Sequence, residues 1–427
     1  MRRWHIRGIR SITGLGALLL ALVVAVGLAQ PRDRAAARAT PPTRELVVGA
    51  LLDLSSGWTS LGRASRAALA IAATDANRRL GKMGSPIRVR IQIVDVRGNP
   101  DEAVRQLRRL ARNGVRVFIG PESSSEVRAV RAAANAVGVL VISQGSTAHS
   151  LARPRDNVFR LVPDDRREAE ALVGLLARDN VKALAPIWRA DAGNAGLVKS
   201  MRVRYKGILS GGVPYGTAES AFSAKVAALR DQVTALRARK IGTVGVYLAG
   251  FDEVVDLFHA AAADPVLNSV PWYGSDGVAL TTRLIKDARA AAFANGHGYP
   301  NPTLGLDARA ERRSESLRAR IRARIGSRPD AFALTTYDAL QIVAHAAERA
   351  GGGGIARLRK EFVRIAHGYS GVTGRIVLNA AGDRAYGSFD FWSVCRANGL
   401  VWHRTHSYLA SGVGRGHIVT RQSCRRR

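Results

Sequence analysis

The stretch from Val115 to Thr147 constrains the fold more than any other, because its pattern predicts one complete β-α-β unit. Val115–Ile119 is a short apolar run that stops at Gly120-Pro121, a pattern typical of a buried strand. A run with helical spacing follows, and residues 139–142 form a second apolar strand. Both strands therefore end in small, hydroxyl-rich loops at one edge of a parallel sheet, where open α/β sheets bind ligands.

These two loops supply the first candidate binding residues. Ser123 and Ser124 stand where the helix begins, and Gly145, Ser146 and Thr147 follow the second strand. The free N–H groups of a helix amino end, together with serine hydroxyls, suit a carboxylate or another small anion. The alternative is that the serines only cap the helix and that Thr147 is an ordinary loop residue.

The rest of the chain repeats the alternation of strands and helices, interrupted by three extended segments. With 427 residues, the chain is long enough for two or three domains. We therefore predict an α/β fold of two doubly wound parallel-sheet lobes, joined by three crossing segments, with a ligand cleft between them. The prediction assigns residues 45–160 and 296–370 to lobe 1, 161–295 and 371–408 to lobe 2, and 409–427 to a C-terminal tail.

The amino terminus indicates export. Four arginines within the first ten residues precede an apolar segment that ends near Ala29. This pattern predicts a secretory signal peptide over residues 1–29. Residues 30–44 are rich in Pro, Arg and Ala and form a linker. We expect a periplasmic or otherwise extracytoplasmic protein. The alternative is an uncleaved amino-terminal anchor, because the apolar segment is long for a signal.

The charge of the chain is extreme, with a formal net value of +32 from 65 basic and 33 acidic residues. Only eight of the basic residues are lysines, and the arginines are spread over nearly every predicted helix. A nucleic-acid binder would cluster its charge or interleave it with aromatic residues, so we expect no nucleic-acid partner. An anionic membrane surface or an acidic partner stays open as an alternative.

Motifs for catalysis are missing from the sequence. It contains no phosphate-binding loop, no Gly-x-Ser-x-Gly elbow and no His-Glu-x-x-His motif. We therefore expect no enzyme, no cofactor and no metal. Cys395 and Cys424 are the only cysteines, and in an exported chain they predict one disulfide. The rival interpretation is a metal site with His403, His406 and His417, whose spacing is loose.

Several ordered motifs resemble one known family. They are Gly49-Ala50-Leu51-Leu52-Asp53-Leu54-Ser55, Ile119-Gly120-Pro121 with its serines, Ile142-Ser143-Gln144-Gly145-Ser146-Thr147, Val158-Phe159-Arg160-Leu161-Val162-Pro163-Asp164, Ala333-Leu334-Thr335-Thr336-Tyr337-Asp338-Ala339 and Gly371-Val372-Thr373-Gly374. Over residues 46–402 the chain resembles the substrate-binding proteins of branched-chain amino-acid-type ABC transporters, which have the type I periplasmic, leucine-binding-protein-like fold.

The resemblance implies roles for particular residues. An amino-acid carboxylate would be held by Ser123 or Ser124 and by Gly145 to Thr147, and its ammonium group by Asp276. Phe251 of the second lobe would close over the ligand. The family often has an aromatic residue where this chain has Gly193, so the pocket is larger or closed differently, and Trp58 could compensate. The plainer alternatives are a turn at Asp276 and core positions for Phe251 and Trp58.

Together these features predict an extracytoplasmic solute-binding protein. It would capture an amino acid or a similar small carboxylate or amide and deliver it to an ABC permease in the membrane. We expect a monomer that catalyses no reaction. One alternative is a ligand-sensing module of the same fold that feeds a receptor or regulator. Another is a basic surface protein that binds anionic polymers.

Overall fold

A computed structural model describes residues 43–411 and 414–424 of the chain. The predicted signal peptide and most of the predicted linker lie outside these residues. The first elements are β1 (Arg44–Leu52), α1 (Thr59–Lys82), β2 (Ile87–Asp95), α2 (Pro100–Arg112), β3 (Val117–Ile119), α3 (Ser124–Val137), β4 (Leu140–Ser143) and β5 (Val158–Arg160). Their strands form one parallel sheet in the order β2-β1-β3-β4-β5. This sheet and its helices are called the first lobe below.

Local sequence explains these elements well. The inner strand β1 runs through five consecutive buried residues, from Val48 to Leu52, because helices cover both faces of a parallel sheet. Asn99 caps α2, where its side chain accepts bonds from the backbone N–H groups of Asp101 and Glu102. Gly138 ends α3 in the left-handed conformation that glycine adopts without strain. The predicted β-α-β unit is therefore present with each of its boundaries shifted by at most two residues.

A second run of alternating elements follows. It comprises α4 (Asp165–Arg178), β6 (Val181–Arg189), α5 (Ala192–Arg204), β7 (Ile208–Leu209), β8 (Val213–Tyr215), α6 (Ser223–Ala238), β9 (Thr243–Ala249), α7 (Val254–Ala261), β10 (Trp272–Tyr273), α8 (Thr282–Lys286) and α9 (Ala288–His297). The strands form a second parallel sheet in the order β10-β9-β6-β7, and β8 also pairs with β6. This sheet and its helices are called the second lobe.

The last third of the chain contributes to both lobes. It contains β11 (Asn301–Leu304), α10 (Ala308–Ile325), α11 (Ala331–Ala350), α12 (Gly354–Ala366), β12 (Ser370–Gly371), β13 (Gly374–Arg375), β14 (Phe389–Ala397), β15 (Gly399–Ser411) and β16 (Gly414–Thr420). Helices α11 and α12 pack into the core of the first lobe. Strands β11-β14-β15-β16 form an antiparallel sheet whose residues Trp392, Val394 and Trp402 belong to the core of the second lobe. The predicted α/β fold with two parallel-sheet lobes is confirmed.

Two segments pack on a different lobe from the one the sequence predicted. Residues 301–304 pair with β14, and Tyr299 lies in the second-lobe core, although the prediction placed 296–370 in lobe 1. Conversely, Ile376 and Leu378 lie in the first-lobe core, although the prediction placed 371–408 in lobe 2. Both differences arise because short extended segments carry no local pattern that identifies their partner strand.

The predicted tail, residues 409–427, is the clearest difference from the sequence prediction. Strand β15 continues to Ser411, and β16 (Gly414–Thr420) pairs antiparallel with it. A disulfide joins Cys395 to Cys424, with the two Cα atoms 5.3 Å apart. Most of this segment is therefore part of the antiparallel sheet. In the described residues no helix is both long and apolar enough to span a membrane.

Candidate functional site

A cavity of about 900 Å³ lies between the two lobes. It opens where the strands of both parallel sheets reach their carboxyl ends, and its walls combine the loops there with the first turns of α3 and α4 and one face of α5. The first lobe contributes Trp58, Ser123 and Glu126 to the lining, and the second lobe contributes Arg189 and Phe251. A ligand in this cavity would therefore contact both lobes at once.

In the serine turn before α3, the neighbouring residues Ser123 and Ser124 have different contacts. Ser123 is the N-cap: its hydroxyl accepts from the N–H of Glu126 at 3.3 Å and donates to the Glu126 carboxylate at 2.6 Å. Ser124 instead turns inward and lies 3.0 Å from the hydroxyl of Ser146. Ser123 therefore caps the helix, as the alternative interpretation of the serines predicted, whereas Ser124 contacts the second loop.

The second loop packs tightly against the first. A side chain at Gly145 would put its Cβ 3.0 Å from the backbone oxygen of Glu122, so glycine allows the two loops to approach closely without a shift of the backbone. The hydroxyl of Ser143 orders the loop by accepting from the N–H of Ser146 at 3.2 Å. The two predicted loops thus form one continuous hydroxyl-bearing wall that includes Ser124 and Ser146.

The amino end of α5 closes on this wall from the second lobe. The N–H of Ala192 donates to the Ser125 hydroxyl at 3.0 Å, across the boundary between the lobes. A Cβ at Gly193 would lie 3.4 Å from the Ser124 hydroxyl oxygen, which is ordinary contact distance, so this position already touches the serine turn. Glycine at position 193, where the family often has an aromatic residue, therefore allows the amino ends of α3 and α5 to approach each other.

An aromatic contact joins the lobes at one side of the cavity. The Trp58 ring stacks on Phe251 with centroids 4.2 Å apart and planes inclined by 13°. The Trp58 indole N–H also donates to the backbone oxygen of Gly277 at 3.0 Å. Asp53 shapes the loop that carries this residue, since its carboxylate accepts from the N–H groups of Ser56 and Trp58. We call Trp58 and Phe251 the aromatic clamp.

Asp276 lies next to this wall, within a cluster of buried acids at the lobe boundary. Burial raises the pKa of Asp165 to about 8, and the charge of Asp276 adds to the effect. Burial also raises the pKa values of Asp276 and of Glu168, and the backbone N–H of Asp276 donates to the Glu168 carboxylate at 3.2 Å. Thr147 of the first lobe lies beside these acids, because its backbone oxygen accepts from the N–H of Asp165 at 2.9 Å.

Sequence reasoning did not identify the central cation of the cavity, Arg189. Its guanidinium lies 3.0 Å from Asp191 and 3.6 Å from Glu253, and 5.4 Å from the ring centroid of Phe251. Burial raises the pKa of Glu126, which also lines the cavity, to about 7, and the charge of Arg189 opposes that increase. An arginine directly after a buried strand, at the ligand-binding edge of a sheet, was the pattern that could have identified it.

The eight predicted ligand-binding residues fall into two groups. Trp58, Ser123 and Phe251 line the cavity, whereas Ser124, Gly145, Ser146, Thr147 and Asp276 are buried next to it at the lobe boundary. In the part of the chain that the structure describes, no group of three or more His, Cys, Asp or Glu side chains could hold a metal ion.

The buried acid Asp165 should make stability depend on pH. An acid whose pKa is raised by folding binds a proton more tightly in the folded state, so the free energy of unfolding falls as pH rises from about 4 to 8. Asp165→Asn removes this charge and should stabilise the protein by several kcal/mol at pH 8.5, with little effect near pH 4. Chemical denaturation over a pH series measures this.

The surface variant Asp231→Asn, on the exposed side of α6, is the matched control and should follow the wild-type curve. Parallel pH profiles for wild type and Asp165→Asn would show that Asp165 does not take up a proton on folding.

The fold and the cavity define the class of this protein: two α/β lobes, each built on a parallel sheet, with a cavity between them. The periplasmic binding protein family model matches residues 45–394, and the chain belongs to that family. It is 26% identical over 400 residues to the uncharacterized protein MJ1266 of Methanocaldococcus jannaschii, covering 89% of this chain and 94% of that protein. The family is extracytoplasmic, and its members are solute-binding proteins rather than enzymes, in agreement with the sequence prediction.

Solved structures show the same fold at low identity. The branched-chain amino acid transporter substrate-binding protein LivJ of Streptococcus pneumoniae, in complex with isoleucine, has a TM-score of 0.70 at 19% identity, over 88% of this chain and 100% of that one. A solute-binding protein of an ABC transporter from R. palustris, in complex with benzoate, has a TM-score of 0.68 at 19% identity, over 84% of this chain and 96% of that one. The predicted resemblance to leucine-binding-type proteins is confirmed.

Proposed function

We propose that this protein captures an amino acid or a similar small carboxylate or amide outside the cytoplasm and delivers it to an ABC importer. One observation supports the proposal most directly: the cavity between the lobes is lined by the turn at Ser123 from the first lobe and by Arg189 and Phe251 from the second lobe. Asp276, the acid expected to hold an ammonium group, is buried beside Asp165, which also lines the cavity. The proposal also agrees with the amino-acid complex of the S. pneumoniae relative.

The charges of the site offer a partner for each charged end of an amino acid. The carboxylate fits the amino end of α3, where backbone N–H groups and the Ser124 hydroxyl combine with the nearby cation Arg189. An ammonium group fits the acids around Asp276, because a positive charge there would offset their mutual repulsion. The aromatic clamp then covers the bound molecule and excludes water. Selection among ligands is left to the shape of the cavity.

A second ligand class, aromatic carboxylic acids, is supported by the cavity itself. Trp58, Trp188 and Phe251 all line it, and Gly193 at the lid position contributes no side chain. Two of the similar structures hold benzoate and 3,4-dihydroxybenzoic acid, respectively. An aromatic acid would use the same carboxylate site and would not need Asp276.

The remaining parts of the proposal concern partners and location. We infer export by the signal peptide of residues 1–29, function as a monomer and delivery to a membrane permease. The sensor alternative uses the same cleft, and a chain that binds its ligand but does not stimulate a permease would favour it.

A thermal-shift screen with amino acids and small carboxylic acids tests the proposal. A ligand present at one hundred times its Kd should stabilise the protein by about 2.7 kcal/mol and raise the melting temperature by several degrees. Asp276→Ala should abolish this shift for amino acids and leave that for aromatic acids largely intact. The surface variant Asp231→Ala is the control and should behave as wild type. If no compound in a broad library shifts the wild-type protein, the transport proposal is wrong.

A further inference from the structure

A second groove crosses the lobe boundary outside the ligand cavity. It encloses about 960 Å³ and is lined by α1 and the end of α10 from the first lobe, and by α7 and α8 from the second. A hydrogen bond between the lobes, from the N–H of Ser60 to the carboxylate of Asp252 at 2.9 Å, links its two walls. We call it the arginine groove, for the basic side chains that line it.

The acids of the groove already have partners. Asp252 accepts the bond from Ser60. Asp256 forms an ion pair with Arg283 at 2.8 Å. Asp287 binds His259 at 2.8 Å and caps α9. Asp256 and Asp287 are therefore paired with groove residues, whereas Asp252 accepts from a neutral N–H group.

Among the described residues, four cations of the groove remain without such a pair. They are Arg63, Arg66, Lys286 and Arg324, all of them exposed. Within residues 43–411 and 414–424, none of the four forms an ion pair. Arg63 and Arg66 lie one turn apart on α1, so their side chains project from the same face. The groove thus combines a concave shape with three unpaired arginines on the first-lobe wall and one unpaired lysine, Lys286, on the second-lobe wall.

A multivalent anion between the walls could bind the arginines of the first lobe and Lys286 of the second lobe at once. Because it would contact both lobes only when they are close, it would favour the closed arrangement. Guanidinium groups bind phosphate oxygens through paired, charge-assisted bonds, so arginine-rich sites suit phosphate better than a single carboxylate. A flat bilayer would contact the rims of a concave groove but not both of its walls.

We propose that the arginine groove is a second binding site, for a soluble multivalent phosphate anion that bridges the two lobes and stabilises the closed form. The site is separate from the ligand cavity and does not depend on which molecule that cavity holds. It also gives part of the arginine excess a specific role.

Isothermal titration with sodium tripolyphosphate tests this proposal, at constant ionic strength set with sodium chloride. We expect saturable binding with one molecule per chain. The double variant Arg66→Ala/Lys286→Ala, which removes one charge from each wall, should weaken binding by about tenfold or more. The control Arg108→Ala/Arg112→Ala removes two exposed charges from α2 and should change the affinity by less than about twofold.

A structural measurement accompanies the titration. Small-angle X-ray scattering of the wild-type protein should show a smaller radius of gyration with tripolyphosphate, and the groove variant should show no such change. Equal losses of affinity in the groove and control variants would overturn the proposal in favour of general attraction to a basic surface. Binding only to vesicles that contain phosphatidylglycerol, and not to tripolyphosphate, would overturn it in favour of a membrane contact.

Discussion

Arg160→Met is expected to lower the free energy of unfolding by about 3–5 kcal/mol, because it leaves a buried carboxylate without its partner. The Arg160 guanidinium lies 2.7 Å and 2.6 Å from the two carboxylate oxygens of Asp383, and both residues are almost fully buried. It also donates to the backbone oxygen of Ala148 at 2.6 Å. The same side chain therefore holds β5, the segment around Asp383 and the end of the second ligand loop together.

The second effect of Arg160→Met should appear in ligand binding. Without its bond to Ala148, the loop that carries Ser146 and Thr147 becomes less ordered, so the affinity should fall as well as the stability. Denaturant unfolding measures the first effect, and isothermal titration with a compound from the thermal screen measures the second.

A double variant separates the lost ion pair from a general packing defect. Arg160→Met/Asp383→Asn removes the unpaired charge and should recover part of the stability lost in the single variant. If the double variant is destabilised by the sum of the two single changes, the two side chains act independently and the interpretation is wrong.

Trp58→Ala is expected to weaken ligand binding by about a hundredfold. The tryptophan belongs to the first lobe, and across the boundary it contacts Phe251 and Gly277 of the second lobe. An aromatic pair contributes about 0.5–1.5 kcal/mol beyond the area that it buries, and burial of a large ring adds further stabilisation. Because opening the lobes breaks these contacts, their loss shifts the protein toward the open form.

The conservative variant Trp58→Phe identifies the source of this effect. It retains a ring that can stack on Phe251 but loses the indole N–H that binds the Gly277 oxygen, so its affinity should lie between those of wild type and Trp58→Ala. Isothermal titration gives the affinities, and small-angle scattering gives the degree of closure. An unchanged affinity in Trp58→Ala would mean that the aromatic clamp only fills the core, as the plainer interpretation holds.

Local patterns were enough to predict the fold and the two hydroxyl-bearing loops that pack against each other in the first lobe. The unit from Val115 to Thr147 combines apolar strands, a capped helix and small loops, and each of these features depends on residues near one another in sequence. The same reasoning could not decide between Ser123 and Ser124. A helix start is located from sequence only to within a few residues, and a shift of one position exchanges a cap for an inward-facing hydroxyl.

Contacts between residues far apart in the chain produce weaker patterns in the sequence. The Arg160–Asp383 pair joins residues 223 positions apart, and only the presence of an arginine within an apolar strand hinted at a buried partner. Strand β16 escaped prediction because its first residues are Gly and Arg, which are typical of loops. The assignment of residues 299–304 and 376–378 to lobes likewise depends on pairing partners that short extended segments do not specify.

The most direct test of the account is a crystal structure of the protein with the compound that stabilises it most in the thermal screen. We expect the compound between the lobes, with its carboxylate within hydrogen-bonding distance of the Ser124 turn and the clamp residues Trp58 and Phe251 packed over it. An amino-acid ligand should also place its ammonium group at Asp276. A compound bound to the outer face of one lobe, without contact from the other, would contradict the account.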